Sequence, residues 1–466
     1  MILIVNPPSV DKSINRDMAG GLGYSAGNGV VLPPLDLLIL ASTLKKDGNK
    51  VIFVDSIAEK IDSLDYFIKL IKNKKIKILI GNLALPTLDE DCSFYSNLRS
   101  KFKNLQIVIK TGINYEEILK KAIIKSKADF IIFKECDLEI SNYLDKNITD
   151  GTIYLKNGKI FIEKSKHDVL DNLDLLPFAD RKISKIERYK YVLLPGICTT
   201  MQTSRGCPYP CGYYCPYPLV QGTRWRRMSP KKVVNEIEQI IFLGIDSILF
   251  RDATFSLDMK RAEEICEEII ARKLKINWWC ETRINVLDEN LLRKMKNAGC
   301  MGINVGVETL DEKLIVSEGK PGVRLEDVVK VRKAAKEIGI RLHFLMIIGL
   351  PNDNLESIYR SFEYLVKLRP ESIGFTTITP YPGTKMFDDA LRDGLIMNMD
   401  WNNFNGSQSN MKTKYLSQKD LNILRFLLSG TSFLNRKPLV IRSLGIEIIR
   451  GILKIWKGTK KLELVS

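Results

Sequence analysis

The chain has only two histidines in 466 residues, His167 and His343, and that scarcity removes whole classes of chemistry. A histidine-rich metal site, a twin-histidine metalloprotease helix and a Ser-His-Asp triad all need more imidazoles, or better placed ones. Long apolar runs are missing too. No stretch of about 18 uncharged apolar residues appears, so a spanning helix is not expected. The first residues, "MILIVNPPSV", lack a basic n-region and read as a buried strand rather than a signal peptide. The expected location is therefore cytoplasmic, where the nine cysteines would stay reduced. Acidic residues are scarce at the carboxyl end. Residues 401–466 hold 12 Lys/Arg against 3 Asp/Glu, which places +9 of the net +16 in the last seventh of the chain.

The remaining sequence alternates short apolar runs with helical patterns, and it is too long for one compact core. In residues 1–140 the runs "ILIVN", "KVIFVD", "KILIGN", "QIVIKTG" and "FIIFKE" read as buried strands. A Gly-rich loop, "MAGGLGYSAGNG", precedes the helix "PPLDLLILASTLKKDG", which opens on Pro33-Pro34 and stops at Gly48. Runs of this kind between helices predict a parallel sheet covered on both faces. Residues 141–190 have no clean period and read as a connector. From 191 to 400, about six strand–helix units follow, favouring a partly closed barrel with its chemistry at the strands' carboxyl ends. Residues 401–466 form a basic extension. Its final segment places Glu447, Arg450, Lys454, Lys457 and Lys461 on one helical arc, with Ile441, Leu444, Ile448, Ile452, Ile455 and Trp456 covering the other.

Three cysteines stand together in "SRGCPYPCGYYCPYP": Cys207, Cys211 and Cys215, with three residues in each gap. Paired disulfides cannot use three thiols, and structural zinc needs four ligands, normally as two separated pairs. A four-iron cluster held by three thiolates is the better match, because one iron then stays open for an exogenous ligand. Glycine and proline keep such a loop tight and bring backbone amides near the sulfurs. The plain alternative is a loop that is merely cysteine-rich. The other six cysteines (Cys92, Cys136, Cys198, Cys266, Cys280, Cys300) lie among apolar residues and read as core.

With this loop in its setting, "TSRGCPYPCGYYCPYP…QGTRWRRMSPKKVVNEIE", the sequence resembles the radical S-adenosylmethionine superfamily, and within it the cobalamin-binding branch. The connector "LDLLPFADR" and the N-terminal "NPPS", Gly-rich loop and "VIFVDS" belong to the same resemblance, which spans roughly residues 1–400. It implies an α/β chain: an N-terminal Rossmann-like cobalamin-binding domain (1–140), the connector (141–190), a radical SAM partial (β/α)6 TIM-type barrel (191–400) and a helical C-terminal extension (401–466). One departure stands out. The family spaces its cysteines by three residues and then two, so this chain has one extra tyrosine, Tyr213 or Tyr214. A small bulge would absorb it, with the three sulfurs still converging.

The resemblance implies roles for further residues. Cys207, Cys211 and Cys215 would ligate the 4Fe-4S cluster, whose open iron chelates S-adenosylmethionine and whose electron cleaves it. Tyr214 would lie against the adenine, Asp252 near the methionine moiety, and Arg283 at the end of the third strand. Glu308 in "GVET" would suit ribose hydroxyls or the ammonium group, while Gly349 and Thr377 would edge the adenine. Asp252 and Glu308 also admit a plain reading as helix caps, and Arg283 as an ion-pair partner near Glu281. Cobalamin contacts would come from Gly20, Gly21, Gly23, Tyr24, Leu83–Pro86, Thr111 and Gly112. Residues 1–140 contain no histidine, so cobalt would carry no histidine ligand.

The implied reaction is methyl transfer to an unactivated carbon of a lipid-like or secondary-metabolite substrate. The same scaffold supports cyclisation and ring rearrangement. A non-catalytic iron–sulfur electron carrier is the reading from another class. The implied partners are a small-molecule or lipid-like substrate and a reductant such as flavodoxin or ferredoxin. The basic tail reads as a lid packed on the barrel or as a peripheral membrane contact. Nucleic acid is not expected, since no basic stripe interleaved with aromatics appears.

Overall fold

The computed structural model describes residues 1–17, 21–25, 27, 29–145, 149–164, 169–318, 320, 322–435 and 437–463, with side chains to residue 459. Its contacts divide the chain into two units. The first comprises Met1–Pro208, Cys215–Ala253 and Pro382–Thr384; the second comprises Tyr209–Tyr214, Thr254–Tyr381 and Lys385–Ser466.

The first unit is built on a seven-stranded sheet in the order Val51–Asp55, Ile2–Asn6, Ile78–Leu83, Gln106–Thr111, Phe130–Ile132, Thr152–Lys156, Lys159–Glu163. The first five strands run parallel, and every residue of Ile2–Asn6 is buried, as an unbroken apolar run covered on both faces requires. The last two strands form an antiparallel hairpin inside the stretch that reads as connector. Asn157 and Gly158 turn it, both at positive φ (52° and 74°), which matches the right-handed twist of the flanking strands. The same unit holds a further parallel pair, Cys198–Met201 with Ser247–Phe250, joined through the helix Pro230–Phe242. Ser229 caps that helix by accepting from the Lys232 N–H, and Gly244 at φ +72° follows it.

The second unit carries four parallel strands, Asn277–Arg283, Cys300–Glu308, Arg341–Ile348 and Ser372–Thr377, each paired with the next. The helices Glu289–Asn297, Leu325–Ile338 and Leu355–Leu368 connect them. Asp288 and Asn354 cap the first and last of these, as Asp258 caps the preceding Met259–Ala271. Two consecutive tryptophans fill opposite sides of Asn277–Arg283. Their indole N–H groups donate to the Ala298 carbonyl (2.7 Å) and to Asn304 Oδ1 (2.8 Å), so neither is buried unpaired. The first unit thus holds two parallel strands of this second set and the second unit four. The tail is helical over Gln418–Leu434 and Leu439–Glu463, despite Gly445 and Gly451 in the latter.

The loop after Ile2–Asn6 shows how closely this chain packs on itself. Gly23 has φ +98°, and a Cβ there would stand 2.4 Å from the Ala84 Cβ. Gly48 has a similar φ of +84°, but nothing lies within 4 Å of its Cβ position. Gly48→Ala should therefore carry only backbone strain, about 1 kcal/mol. Gly23→Ala adds a clash, for a total loss of roughly 2–4 kcal/mol. Denaturant unfolding of the two variants checks the ordering, with Gly23→Ala the less stable.

Candidate functional site

The cysteine loop leaves the end of Cys198–Met201, and its departure is fixed by a buried carboxylate. Asp252, fully buried just beyond Ser247–Phe250, accepts from the Thr203 N–H (3.1 Å), the Thr203 hydroxyl (2.9 Å) and the Ser204 hydroxyl (2.5 Å). It caps no helix. The next one starts at Met259 with Asp258 as its cap, so the helix-cap reading of Asp252 falls. Its role in this fold is to hold the two residues that lead into the loop.

Arg205, next in sequence, enters a buried ion network that the sequence did not reveal. Its guanidinium reaches Asp137 (2.7 Å) and Glu135 (3.2 Å), and Arg226 grips Glu135 from another direction (2.7 Å). Lys110 lies 3.6 Å from Asp36 and 3.7 Å from Asp137. Burial alone would raise the Asp137 carboxyl, but Arg205 and Lys110 hold it well below the usual carboxylate range. Asp36 is raised by its burial, with Lys110 pulling the other way. Three cations and three carboxylates thus cancel in the interior, as buried charge must.

In the loop itself, Cys207 and Cys211 are buried and Cys215 is half-buried. The second gap runs through a single 3-10 turn, Pro210–Tyr213, closed by the N–H of buried Tyr214 donating to the Cys211 carbonyl. A helical turn, rather than a strand bulge, takes up the additional tyrosine. Among the described residues no three His, Cys, Asp or Glu side chains form a metal-holding group, so the expected convergence of the three sulfurs is not seen. Cys211 instead lies against Arg283, whose Nη1 stands 3.9 Å from its sulfur. The same guanidinium stacks 3.8 Å from the centre of the Tyr209 ring, and its Nε donates to Asn285. Arg283 therefore serves the loop. A cation on a thiol favours the thiolate, the form that binds metal. Three soft donors on one short loop, one of them held beside a fixed cation, fit an iron–sulfur cluster. The scattered cysteines contrast: burial pushes the Cys92, Cys136 and Cys198 thiols up to about 12.

Glu308 closes the strand Cys300–Glu308 in the left-handed region, at φ +64°, where the pairing to Arg341–Ile348 shifts register. No helix needs it as a cap, because Asp311 caps the helix that follows. Its carboxylate pairs with Lys320 at 3.2 Å and is nearly buried. A glutamate held in this conformation is locally strained, and such strain gathers at functional positions. Gly349, at φ +93°, ends the next strand, and a Cβ there would meet Leu421 at 2.8 Å. Its N–H donates to Asp353 (3.0 Å), a buried carboxyl that sequence reasoning missed although "GLPND" contains it. Thr377 ends the last strand, with its N–H on the Gly406 carbonyl at 3.1 Å.

The residues named for the N-terminal site do meet at the carboxyl edge of the first sheet. Leu85 N–H donates to the Leu22 carbonyl (2.8 Å), and the Thr111 hydroxyl to that of Leu83 (2.9 Å). A Cβ on Gly112 would lie 3.0 Å from the Gly21 carbonyl, and one on Gly21 would lie 3.2 Å from Pro216. These glycines thus answer to neighbouring protein atoms. Tyr24 lies under the Arg251 guanidinium at 5.3 Å. Asn82, fully buried near the end of Ile78–Leu83, has neither amide atom hydrogen-bonded, so a polar ligand at this edge would find a donor and an acceptor waiting. Gly20 and His167 lie outside the described residues.

The three-thiol loop follows the first strand of a parallel strand–helix series in an α/β protein. Residues 201–365 match the model of the Radical SAM superfamily. Over 473 aligned residues the chain is 28% identical to an uncharacterized methyltransferase of Pyrococcus horikoshii, with 98% of each chain covered. Its fold is similar to that of the radical S-adenosylmethionine methyltransferase TsrM of Kitasatospora setae, solved with cobalamin and a 4Fe-4S cluster. That likeness has TM-score 0.66 and 16% identity, over 84% of this chain and 74% of that one. The cobalamin-dependent S-adenosylmethionine radical enzyme OxsB gives TM-score 0.72 at 16% identity, over 97% of this chain and 72% of that one.

Asp353 supplies a pH test. Burial raises its carboxyl to about 6 from 3.8, against the lowering effect of hydrogen bonds from Ser357 and Gly349. The folded state then binds this proton more tightly than the unfolded state, so the group's contribution to stability falls as pH rises from 3.8 to about 6. Asp353→Asn should remove that part of the slope, and thermal unfolding across this window reads it. A slope identical to that of the parent would contradict the assignment.

Proposed function

We propose that this chain is a radical S-adenosylmethionine enzyme that methylates an unactivated carbon of a small-molecule or lipid-like substrate, with a cobalamin held by the N-terminal domain. The observation that carries the reading is the three-thiol loop with Arg283 fixed on Cys211, inside a radical SAM domain. Cys207, Cys211 and Cys215 would hold the cluster. The loops ending in Leu83–Pro86, Thr111 and Gly112, with Gly20, Gly21, Gly23, Tyr24 and Asn82, would hold the cobalamin. When bound, the cluster delivers the electron that cleaves S-adenosylmethionine, and the cobalamin delivers the methyl group.

The chain's own residues bind and orient. Arg283 sits against the Cys211 sulfur and braces the loop against Tyr209. Asp252 fixes the loop's origin through Thr203 and Ser204. Glu308 offers a carboxylate at a strand's carboxyl end, where cationic or hydroxyl groups of S-adenosylmethionine would be received. Tyr214, Gly349 and Thr377 would line the adenine. Electrons would come from a reductant such as flavodoxin or ferredoxin, and peripheral membrane contact through residues 401–466 belongs to the same proposal.

Anaerobic reconstitution should load about four irons per chain and release 5′-deoxyadenosine on reduction. Cys207→Ala, Cys211→Ala or Cys215→Ala should each abolish that release. Iron uptake without cleavage would assign the chain to electron transfer instead, and products of unchanged mass would favour ring rearrangement over methylation. Glu308→Gln keeps the backbone and removes one charge. It should weaken S-adenosylmethionine binding by about tenfold, equivalent to ~1.4 kcal/mol. Equilibrium dialysis measures this, and unchanged affinity would leave Glu308 as a partner of Lys320 alone.

A further inference from the structure

The helix Leu439–Glu463 has more apolar surface than its packing uses. On a helix advancing about 100° per residue, Arg442, Ile446, Ile449 and Leu453 share one arc, and all four are buried. Through this arc the helix packs on Leu355–Leu368 and Gln418–Leu434. On one flank, Arg450 and Lys457 pair with Glu363 and Glu356 of Leu355–Leu368. On the other flank, Ile441, Leu444, Ile448, Ile452 and Ile455 recur at spacings of three and four, and every one is exposed.

The neighbouring helix extends that surface. Gly445 and Ile449 meet Leu434 and Gly430, which marks the line where the two helices touch. Ile423, Phe426 and Phe433 lie on the same face of Gln418–Leu434 as Gly430 and Leu434, turned away from the buried Leu421, Leu424 and Leu428. All three are exposed, Phe426 by 78%. The bare apolar side chains of both helices therefore flank their shared contact on the side away from the core. Scattered apolar residues at a surface are ordinary, but a continuous set on paired helices marks an interaction site.

Charge identifies the occupant. The surrounding segment, residues 401–466, carries +9, and its exposed lysines include Lys412, Lys414, Lys419 and Lys454. Lys437 sits over the Phe433 ring at 4.2 Å, at the edge of the apolar face. A second copy of the chain would bring the same +9 against it. An anionic lipid surface would meet it with the opposite sign. We propose that the outer face of these two helices docks on an anionic bilayer, with Phe426, Phe433, Ile448, Ile452 and Ile455 seated at the acyl boundary and the lysines at the headgroups.

The full-length protein should float with vesicles of phosphatidylcholine and phosphatidylglycerol at least about tenfold more than with phosphatidylcholine alone, and added salt should weaken the binding. The double variant Ile448→Asp/Ile452→Asp should lose about tenfold of that binding at unchanged helix content, since both side chains are exposed and leave the packing intact. Lys419→Glu/Lys454→Glu should weaken binding to the anionic vesicles only. No flotation with anionic vesicles, or equal flotation of the Asp variant, overturns the proposal. A dimer in light scattering that the Asp variant breaks would also overturn it and assign the face to a second copy. Flotation is read without S-adenosylmethionine, so its failure is distinguishable from failure of the proposed catalysis.

Discussion

Asp252 grips the two residues that precede the cysteine loop, and the candidate site depends on that grip. The Thr203 N–H, the Thr203 hydroxyl and the Ser204 hydroxyl all converge on one fully buried carboxylate. Removing it would strand three donors in the interior, at a cost of about 1–3 kcal/mol for each one left unsatisfied. Arg205 adds a second anchor one residue later, through Asp137 and Glu135. The loop thus starts from rigid backbone on both counts, which is what a set of metal ligands requires of its support.

Beyond that anchor, strain and charge are concentrated where chemistry would occur. Glu308 is held left-handed at a strand end, while among the described residues the other non-glycine ones at positive φ are surface lysines, one arginine and the hairpin's Asn157. The buried network of Lys110, Arg205, Arg226, Asp36, Glu135 and Asp137 is neutral in sum. Truncation of one member would leave its partner charged and dry, costing about 3–5 kcal/mol. Its members come from the first sheet, from its first long helix and from either side of the cysteine loop. The segment that carries the thiols is thereby tied to the sheet whose carboxyl edge gathers Leu83, Thr111 and Gly112.

Much of this was legible before folding was considered, because it rests on local signals. Apolar runs, the Pro33-Pro34 helix start and the Gly48 stop placed the strand–helix pattern. The three thiols announced themselves by spacing. The hairpin at 152–163 was equally local, carried by Asn157-Gly158 between two alternating runs, and was passed over as connector. Other features have no local signal. Glu135 and Arg226 stand 91 residues apart, and only the fold makes them a pair. Arg283 was legible as a strand-end residue, but its seat between the Tyr209 ring and the Cys211 sulfur was not. The glycines of the N-terminal loop were read as cobalamin contacts, and only the fold shows that a side chain at Gly23 would also meet Ala84.

The central claim is that Cys207, Cys211 and Cys215 hold a four-iron cluster with one iron left to an exogenous ligand. Mössbauer spectroscopy of 57Fe-reconstituted protein tests it most directly, recorded with and without S-adenosylmethionine. The account predicts one iron site in four whose isomer shift moves when S-adenosylmethionine is added, while the other three stay in place. Four equivalent irons that ignore it would contradict the account.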